Sequence, residues 1–296
     1  MNTRYIKEYF YAEKAVKMLI QRHTWLTRFS IVWCLSLLPG LSLQAGQQYN
    51  FGVVPQYEIR KITKIWQPIL NEVEKRTGIK LNLVGSPSIP AFEKSFGQGE
   101  YDFAYMNPYH ALVAHQQQQY RPVLRDIGRE LYGIIVVRKD SPITELKHLD
   151  GKIVAFPAPN ALGAALIPRT EFAKKFNITI KPKYVKSHSS VYLNVLLGQA
   201  AAGGGVQKTF EKQSAELKEQ LRVLYETARV PPHPIVAHSR VNEKDIEKIQ
   251  QAILDIGNTK EGKAWLSKIP VKKIGKASLD DYLPLGEMGL EEFYVK

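Results

Sequence analysis

The chain has 296 residues, of which 44% are hydrophobic and 23% are charged, so the composition is that of a globular protein and excludes a fibrous or disordered one. The formal net charge of +13 either favours encounters with anions or only keeps the surface solvated. No Lys/Arg-dense run flanked by aromatic residues indicates nucleic-acid binding. Cys34 is the single cysteine, which excludes disulfides, thiolate metal sites and cysteine nucleophiles beyond residue 45.

Residues 1–45 have the order of a secretory signal peptide with an N-terminal extension. A basic stretch at residues 22–28 precedes an apolar run at residues 29–43, and Ala45 marks the predicted cleavage point. The apolar run is short for a membrane span, so we expect cleavage, with an uncleaved anchor as the alternative. Translation from Met18 instead of Met1 would give a signal of more ordinary length. The prediction is export to the periplasm.

From residue 46 onward, predicted strands alternate with predicted helices. In the first predicted helix, apolar residues recur at helical spacing between Ile62 and Val73, and Gly78 ends the helix. Strands are predicted at residues 48–55, 80–84, 101–105, 121–125, 131–137, 151–156, 181–185, 200–206 and 221–225. Helices are predicted at residues 58–77, 88–96, 107–115, 141–149, 160–176, 191–197, 210–220, 242–256 and 259–267.

This alternation predicts an α/β fold with two mostly parallel sheets. Two stretches, residues 134–140 and the proline-rich residues 230–238, are interpreted as crossings between two lobes. We therefore expect lobe 1 to consist of residues 46–138 plus 238–296. Residues 139–237 would form lobe 2 as an insertion, joined to lobe 1 by two crossing hinge strands.

Four predicted helices begin directly after predicted strands, on Ser, Asn or Pro residues. They begin within residues 86–90, 105–109, 157–161 and 188–190. Ligands of open α/β sheets bind beyond the carboxyl ends of the strands, where helix N-termini offer unpaired N–H groups and partial positive charge. Four such ends in one cleft would bind an anion without Lys or Arg. Taken singly, each is ordinary helix capping.

Seven segments carry a family resemblance that runs from about residue 49 to residue 285. They read FGVVPQ from residue 51, WQP from 66, PSIPAF from 87, YDFAYMNPY from 101, VRKDSPI from 137, VAFPAP from 154 and SHSSVY from 187. In these segments the chain resembles the phosphate/phosphite/phosphonate-binding periplasmic proteins of ABC importers. The resemblance implies a type-II periplasmic binding protein fold, in which two lobes close on the ligand.

The resemblance also implies which residues hold the phosphorus–oxygen head. His188 would donate to a ligand oxygen, Ser190 would donate through hydroxyl and amide, and the amides of residues 160–163 would cradle another oxygen. His188 could instead only cap its helix, and Tyr105 and Tyr109 could be ordinary core aromatics. The full predicted ligand-binding set is Ser88, Ile89, Tyr105, Met106, Asn107, Tyr109, Asn160, Ala161, Leu162, Gly163, His188, Ser189 and Ser190.

Two departures from the family pattern leave the identity of the anion open. Many relatives carry hydroxyl residues where this chain has residues 161–163, and an Asp where it has Ala201. Loss of that Asp argues against aminoalkylphosphonates and leaves phosphate, phosphite, other phosphonates and anions without phosphorus as candidates. The glycines at residues 203–205 either let backbone approach the ligand or pack tightly.

The resemblance implies a solute-binding protein of an ABC importer, with a small oxyanion ligand and ABC permease subunits as partners. We expect a monomer without metal, cofactor or nucleic acid. We expect no enzymatic activity, because the sequence shows no nucleophile-elbow or metal-ligand spacing, and His110 and His115 lack the HExxH pattern. The alternatives are a sensory module that delivers an anion to a membrane receptor and a periplasmic enzyme on the same fold.

Overall fold

The computed structural model of the chain describes residues 46–269 and 271–295. The predicted signal peptide at residues 1–45 lies outside the described residues. Within the described ranges, no helix has the length and apolarity that crossing a bilayer requires.

Two mixed sheets carry the strands of the described residues. The strands are β1 Gln48–Val53, β2 Lys80–Val84, β3 Phe103–Tyr105, β4 Arg121–Asp126, β5 Gly133–Arg138, β6 Ile153–Phe156, β7 Lys181–Tyr184, β8 Ala202–Val206, β9 Leu221–Glu226, β10 Ile235–Ala237 and β11 Ile274–Lys276. The first sheet has the order β11-β4-β10-β3-β1-β2 and the second β7-β6-β8-β5-β9. β1 runs parallel to β2 and β3, and β6 runs parallel to β7 and β8, whereas β5 and β10 are antiparallel to both neighbours. The sheets are therefore mixed rather than mostly parallel, because the strands that follow the two crossings enter each sheet in the reverse direction.

Helices follow most strands, as the alternation predicted. The α-helices are α1 Ile59–Thr77, α2 Ile89–Gly97, α3 Pro108–Gln118, α4 Ile167–Lys174, α5 His188–Leu196, α6 Gln207–Glu211, α7 Ala215–Glu219, α8 Glu243–Asn258 and α9 Lys260–Leu266. A π-helical turn, Leu162–Leu166, leads into α4, and short 3₁₀ helices lie at Leu146–Leu149, Leu279–Asp281, Leu283–Met288 and Leu290–Glu292.

The chain leaves the first sheet after β4, builds the second sheet from β5 to β9, and returns through β10. The two crossing segments, residues 127–132 and 227–234, pair with each other through reciprocal 2.8 Å amide bonds between Leu131 and Val230. The predicted lobe boundaries, after residues 138 and 237, would assign β5 to lobe 1 and β10 to lobe 2. In the structure β5 lies in the second sheet and β10 in the first. The apolar pattern of a buried strand is the same whichever sheet the strand joins, so the pattern alone does not show which strands it pairs with.

The core of the first half forms between its sheet and α1. The apolar side of α1 is buried, and Gly78 ends the helix in the left-handed conformation with φ 70°, which glycine adopts without a Cβ clash. Trp66 of α1 packs between Phe51 and Tyr105, with ring centroids 5.1 and 5.0 Å away. Trp66 thereby fixes the ring of Tyr105 at the end of β3.

The second half packs helices tightly against a strand made largely of glycine. A Cβ on Gly204 would lie 1.9 Å from the Ala164 carbonyl oxygen, and one on Gly203 would lie 2.5 Å from a Val191 methyl group. The sequence left two roles for the glycines at residues 203–205, close approach to a ligand or tight packing. Tight packing accounts for these contacts, because the helices on the two faces of β8 leave no room for side chains.

A third apolar cluster joins the two halves and the C-terminal segment. It contains Tyr109 and Leu112 from α3, Leu166 and Ile167 from the π-turn and α4, and Tyr282 from the C-terminal segment. The Tyr282 hydroxyl donates to the Pro232 carbonyl on the second crossing at 2.9 Å. The C-terminal segment, residues 279–295, therefore packs on both halves and on a crossing.

Candidate functional site

A cavity lies between the halves, where strands of both sheets end. Its walls are the segments that follow β1, β2, β3, β6 and β7, the end of β8 and the second crossing. The lining residues are Val54, Pro55, Gln56, Ile89, Asn107, Pro157, Ala161, Leu162, Gly163, Ala164, Lys186, Ser187, His188, Val206 and His233. Lys186 is the one formally charged residue in this set, and no carboxylate of the described residues belongs to it. We call this space the central cavity.

Backbone amides without protein acceptors surround the central cavity. Among the residues that the structure describes, none accepts from the amides of Ile89, Leu162, Gly163, Ala164 or His188. These amides belong to the first turns of α2, the π-turn and α5, where helix geometry leaves N–H groups unpaired. Because three helix starts contribute donors and partial positive charge, the cavity can hold an anion.

The π-turn widens one of these helix starts. The Ala161 carbonyl accepts from both the Ala165 amide at 2.7 Å and the Leu166 amide at 3.1 Å. Ala161 is the N-cap of the π-turn and makes no side-chain capping bond, so the amides of the following residues can donate to a ligand. Asn160, which the sequence analysis placed at the start of this helix, is not the cap.

The N-caps of α2 and α3 match the sequence prediction. Ser88 accepts from the Ala91 amide at 3.3 Å, and Asn107 accepts from the His110 amide at 2.8 Å. For α5 the cap is Ser187, which accepts from the Ser190 amide at 3.2 Å, so the helix starts at His188 and not at residue 191 as predicted.

His188 lines the central cavity from the second half, and His233 lines it from the second crossing. Nδ1 of His188 lies 3.3 Å from the Thr209 hydroxyl, and desolvation of the ring lowers its pKa to about 4. The ring of His233 stacks on Tyr105 at 5.3 Å, and its Nε2 lies 2.8 Å from the Gln56 side-chain nitrogen. Desolvation and the neighbouring imidazoles lower the pKa of His233 to about 3. Both rings are therefore neutral at pH 7, and each can exchange hydrogen bonds without carrying charge.

The structure brings together part of the predicted ligand-binding set. The members that line the central cavity are Ile89, Asn107, Ala161, Leu162, Gly163 and His188. Tyr105 lines an adjoining cavity instead. The members that line neither space are Ser88, Met106, Tyr109, Asn160, Ser189 and Ser190.

Several of the members outside the cavity have structural partners. Met106 is fully buried in the first core, and Tyr109 packs edge-on against Tyr294 at 5.5 Å. The Ser190 hydroxyl lies 2.8 Å from that of Ser187, within the cap of α5. Tyr109 therefore has the core role that the sequence analysis kept as its alternative.

Asn160 links the two halves to the C-terminal segment. Its side-chain nitrogen donates to Glu93 at 2.9 Å and to the Val295 carbonyl at 2.7 Å, and its side-chain oxygen accepts from the Val295 amide at 2.9 Å. Its own carbonyl accepts from the Asn107 side chain at 3.2 Å. Asn160 is 2% exposed, so these partners, and not a ligand, use its side chain.

The adjoining cavity shares Gln56, Val206 and His233 with the central one, and its walls carry both cationic and acidic side chains: Arg129, Lys208, Lys212, Asp126 and Glu130. Arg129 donates to Asp126 at 2.6 Å, and Lys212 donates to the Lys268 carbonyl at 3.1 Å, across the two halves. This space opens beside the central cavity, where an organic substituent of a ligand can extend.

Ala201 lies away from both cavities. Its amide donates to the Ile153 carbonyl at 2.9 Å, at the amino ends of β6 and β8. The central cavity lies at the opposite, carboxyl ends of these strands, where Val206 contributes to the wall. A carboxylate at position 201 would therefore lie outside both cavities, whereas the family resemblance implied that it contacts the ligand.

Gln56, Lys186 and His233 line the central cavity but do not belong to the predicted ligand-binding set. Gln56 and Lys186 occupy turns beyond β1 and β7, and His233 lies among prolines on a segment interpreted only as a crossing. Lys186 has φ 73°, an uncommon conformation for a residue other than glycine. A histidine on a predicted crossing was the available signal, because a crossing runs beside the cleft between the halves.

The two mixed α/β sheets, the two crossings and a cavity at the strand ends define a type-II periplasmic binding protein. In sequence, residues 51–282 match the family described as the periplasmic phosphonate substrate-binding protein of an ABC transporter. The chain belongs to this family.

Individual relatives are similar over most of the chain. The phosphonates-binding periplasmic protein of Escherichia coli K12 is 23% identical over 278 residues, which cover 88% of this chain and 82% of the relative. A binding protein component of an ABC phosphonate transporter from Pseudomonas aeruginosa superposes with a TM-score of 0.74 at 19% identity, covering 82% of this chain and 85% of that one. PhnD1 from Prochlorococcus marinus in complex with methylphosphonate superposes with a TM-score of 0.73 at 18% identity, covering 83% and 98%.

Proposed function

We propose that this protein captures a small phosphorus oxyanion, a phosphonate, phosphite or phosphate, in the central cavity and delivers it to the permease subunits of an ABC importer. The observation that carries the proposal is the set of acceptor-free amides from three helix starts around one cavity. Family membership supports the transport role.

The proposed contacts follow from the lining residues. The amides of Ile89, residues 162–164 and His188 donate to the ligand oxygens, and the side chains of Gln56 and His233 complete the wall. The donors of the central cavity match an oxyanion head, since its lining set holds no carboxylate that would repel the ligand oxygens.

Export to the periplasm as a monomer is part of the proposal. The basic, apolar and small-residue order of residues 1–45 supports cleavage after Ala45. Mass spectrometry of the protein purified from cells should show a mature N-terminus at Gly46. An intact N-terminus on the periplasmic protein would contradict the cleavage step.

Isothermal titration calorimetry tests ligand capture directly. Methylphosphonate, phosphite and phosphate are titrated into the purified protein, and we expect at least one to bind with a dissociation constant at or below about 1 μM. Phosphorus NMR of the same mixture should show the ligand unchanged, because the proposal is binding without turnover. Absence of binding by all three anions would overturn the proposal.

A further inference from the structure

The hydrogen bonds of Thr209 fix which nitrogen of His188 carries the proton. The Thr209 hydroxyl is 2.6 Å from the Val206 carbonyl, which can only accept, so the single hydroxyl hydrogen is used there. The Thr209 oxygen then accepts from its two other neighbours, the Tyr192 hydroxyl at 2.9 Å and Nδ1 of His188 at 3.3 Å. Because Nδ1 must donate to this oxygen, the neutral ring carries its proton on Nδ1.

Nε2 of His188 is consequently a bare acceptor. No hydrogen-bond partner for Nε2 lies among residues 46–269 and 271–295, and His188 lines the central cavity. The ring stays neutral because desolvation lowers its pKa to about 4. The His233 imidazole on the second crossing and Lys186 before α5 line the same cavity as His188, and the Tyr192 phenol bonds the same Thr209 hydroxyl.

An acceptor in an anion site discriminates between ligands. An oxygen that carries no hydrogen would place its lone pairs against that of Nε2, whereas a P–O–H group can donate to it. A buried acceptor left without a donor costs roughly 1–3 kcal/mol. Sites built to bond a ligand hydroxyl reject analogues that lack it more strongly than apolar pockets do.

We propose that His188, held in one tautomer by Thr209, makes the central cavity selective for tetrahedral oxyanions that carry a proton on one oxygen. The inference rests on the proposed function and reverses the donor role that the family resemblance implied for His188. Thr209 is a positioning residue in this scheme, since it acts on the ligand oxygens through His188 and does not itself line the central cavity.

Two matched ligand pairs test this selectivity by calorimetry at pH 7. Methylphosphonate is compared with methanesulfonate, which has the same shape as its monoanion and the same charge but no proton, and phosphate is compared with sulfate. Whichever phosphorus anion the unchanged protein binds, we expect its affinity to be about 100-fold higher than that of its sulfur counterpart. Nitrogen-15 NMR of the ligand-free protein should show His188 protonated on Nδ1.

Variants at Thr209 separate the positioning role from a merely structural one. Thr209→Val removes the acceptor for Nδ1, frees the tautomer, and should reduce the selectivity ratio at least tenfold. Thr209→Ser keeps the hydroxyl and should retain the ratio. Should Thr209→Val fail to fold, His188→Gln replaces the fixed acceptor with an amide that can donate, and it should reduce the ratio likewise.

The outcomes distinguish this inference from the proposed function. Equal affinity for the two members of a pair, or a proton on Nε2 in the NMR spectrum, overturns the tautomer inference and leaves anion capture standing. Failure of every phosphorus anion to bind overturns both.

Discussion

Asn107 connects helix capping with the central cavity. Its side-chain oxygen caps α3 through the His110 amide, and its side-chain nitrogen donates to the Asn160 carbonyl in the opposite half. Asn107→Asp keeps an oxygen for the cap but puts a negative charge in the cavity wall. Repulsion between two charges about 5 Å apart in a partly buried site amounts to about 3 kcal/mol. We therefore expect anion affinity to fall roughly 100-fold or more, as measured by calorimetry.

Asn242 provides the matched control for this substitution. It caps α8 by accepting from the Lys244 amide at 3.0 Å, on the surface and outside the lining of the central cavity. Asn242→Asp should leave anion affinity unchanged. If Asn107→Asp bound the anion as tightly as Asn242→Asp, the anion could not lie beside Asn107.

The buried imidazole of His233 makes stability depend on pH. Its pKa is lowered to about 3 by desolvation and by neighbouring imidazoles, against an ordinary value of 6.5. Below pH 6.5 the unfolded chain takes up a proton that the folded protein does not, so the free energy of unfolding falls as the pH falls from 6.5 towards 3. One such group contributes a slope of up to about 1.4 kcal/mol per pH unit.

Urea denaturation of the ligand-free protein between pH 7.5 and pH 5 measures this slope. His233→Asn should flatten the slope, whatever it does to stability at neutral pH. The same substitution at His148, an exposed histidine, should leave the slope as it is. An unchanged slope in His233→Asn would mean that the ring is already protonated or well solvated in the folded state.

The glycine-rich strand β8 brings the helices of the second half close to the sheet. Gly204→Ala would place a Cβ 1.9 Å from the Ala164 carbonyl oxygen and 2.6 Å from the Phe156 ring. Since a backbone atom cannot yield without moving the π-turn, we expect the free energy of unfolding to fall by about 3 kcal/mol or more. Gly286→Ala, with no atom within 4 Å of the added Cβ, should change it by less than about 0.5 kcal/mol. Wild-type stability of Gly204→Ala in urea denaturation would contradict the packing account.

Local signals predicted the elements that build the site. The N-caps Ser88 and Asn107 and the C-cap Gly78 are confirmed, because capping depends on residues within one turn of the helix end. Strand β11 was missed, since it is three residues long and is formed by pairing with β4. The π-turn before α4 was also missed, and its Ala164 carbonyl packs against Gly204 of β8, a residue that is distant in sequence.

The partners of the elements were harder to predict. β5 was placed in the wrong half because its apolar sequence, GIIVVR, fits either sheet. Six members of the predicted ligand-binding set line the central cavity, and their ligand contacts remain predictions. Gln56 and His233 were missed because they come from segments far apart in sequence that meet only when the two halves pack together.

The contact between the two halves depends on a small buried polar network around Asn160. This residue bonds Glu93 of the first half and Val295 of the C-terminal segment, and Glu93 also lies 2.8 Å from Nε2 of His110. Asn160→Asp would place a second carboxylate beside Glu93 and remove both donated bonds. We expect the free energy of unfolding to fall by about 2–4 kcal/mol, as measured by urea denaturation.

Asn177→Asp is the control for this change. Asn177 is exposed and has φ 51°, a left-handed conformation that Asp also tolerates. Its stability should stay close to that of the unchanged protein. Equal stability of the two variants would show that the Asn160 network does not hold the halves and the C-terminal segment together.

The central claim is that amides from both halves bind one phosphorus oxyanion in the central cavity. A crystal structure of the protein with the tightest-binding of methylphosphonate, phosphite and phosphate tests it most directly. The account predicts ligand oxygens within hydrogen-bonding distance of the amides of Ile89, of His188 and of at least one of residues 162–164. A ligand bound elsewhere, or one held by only one half, would contradict it.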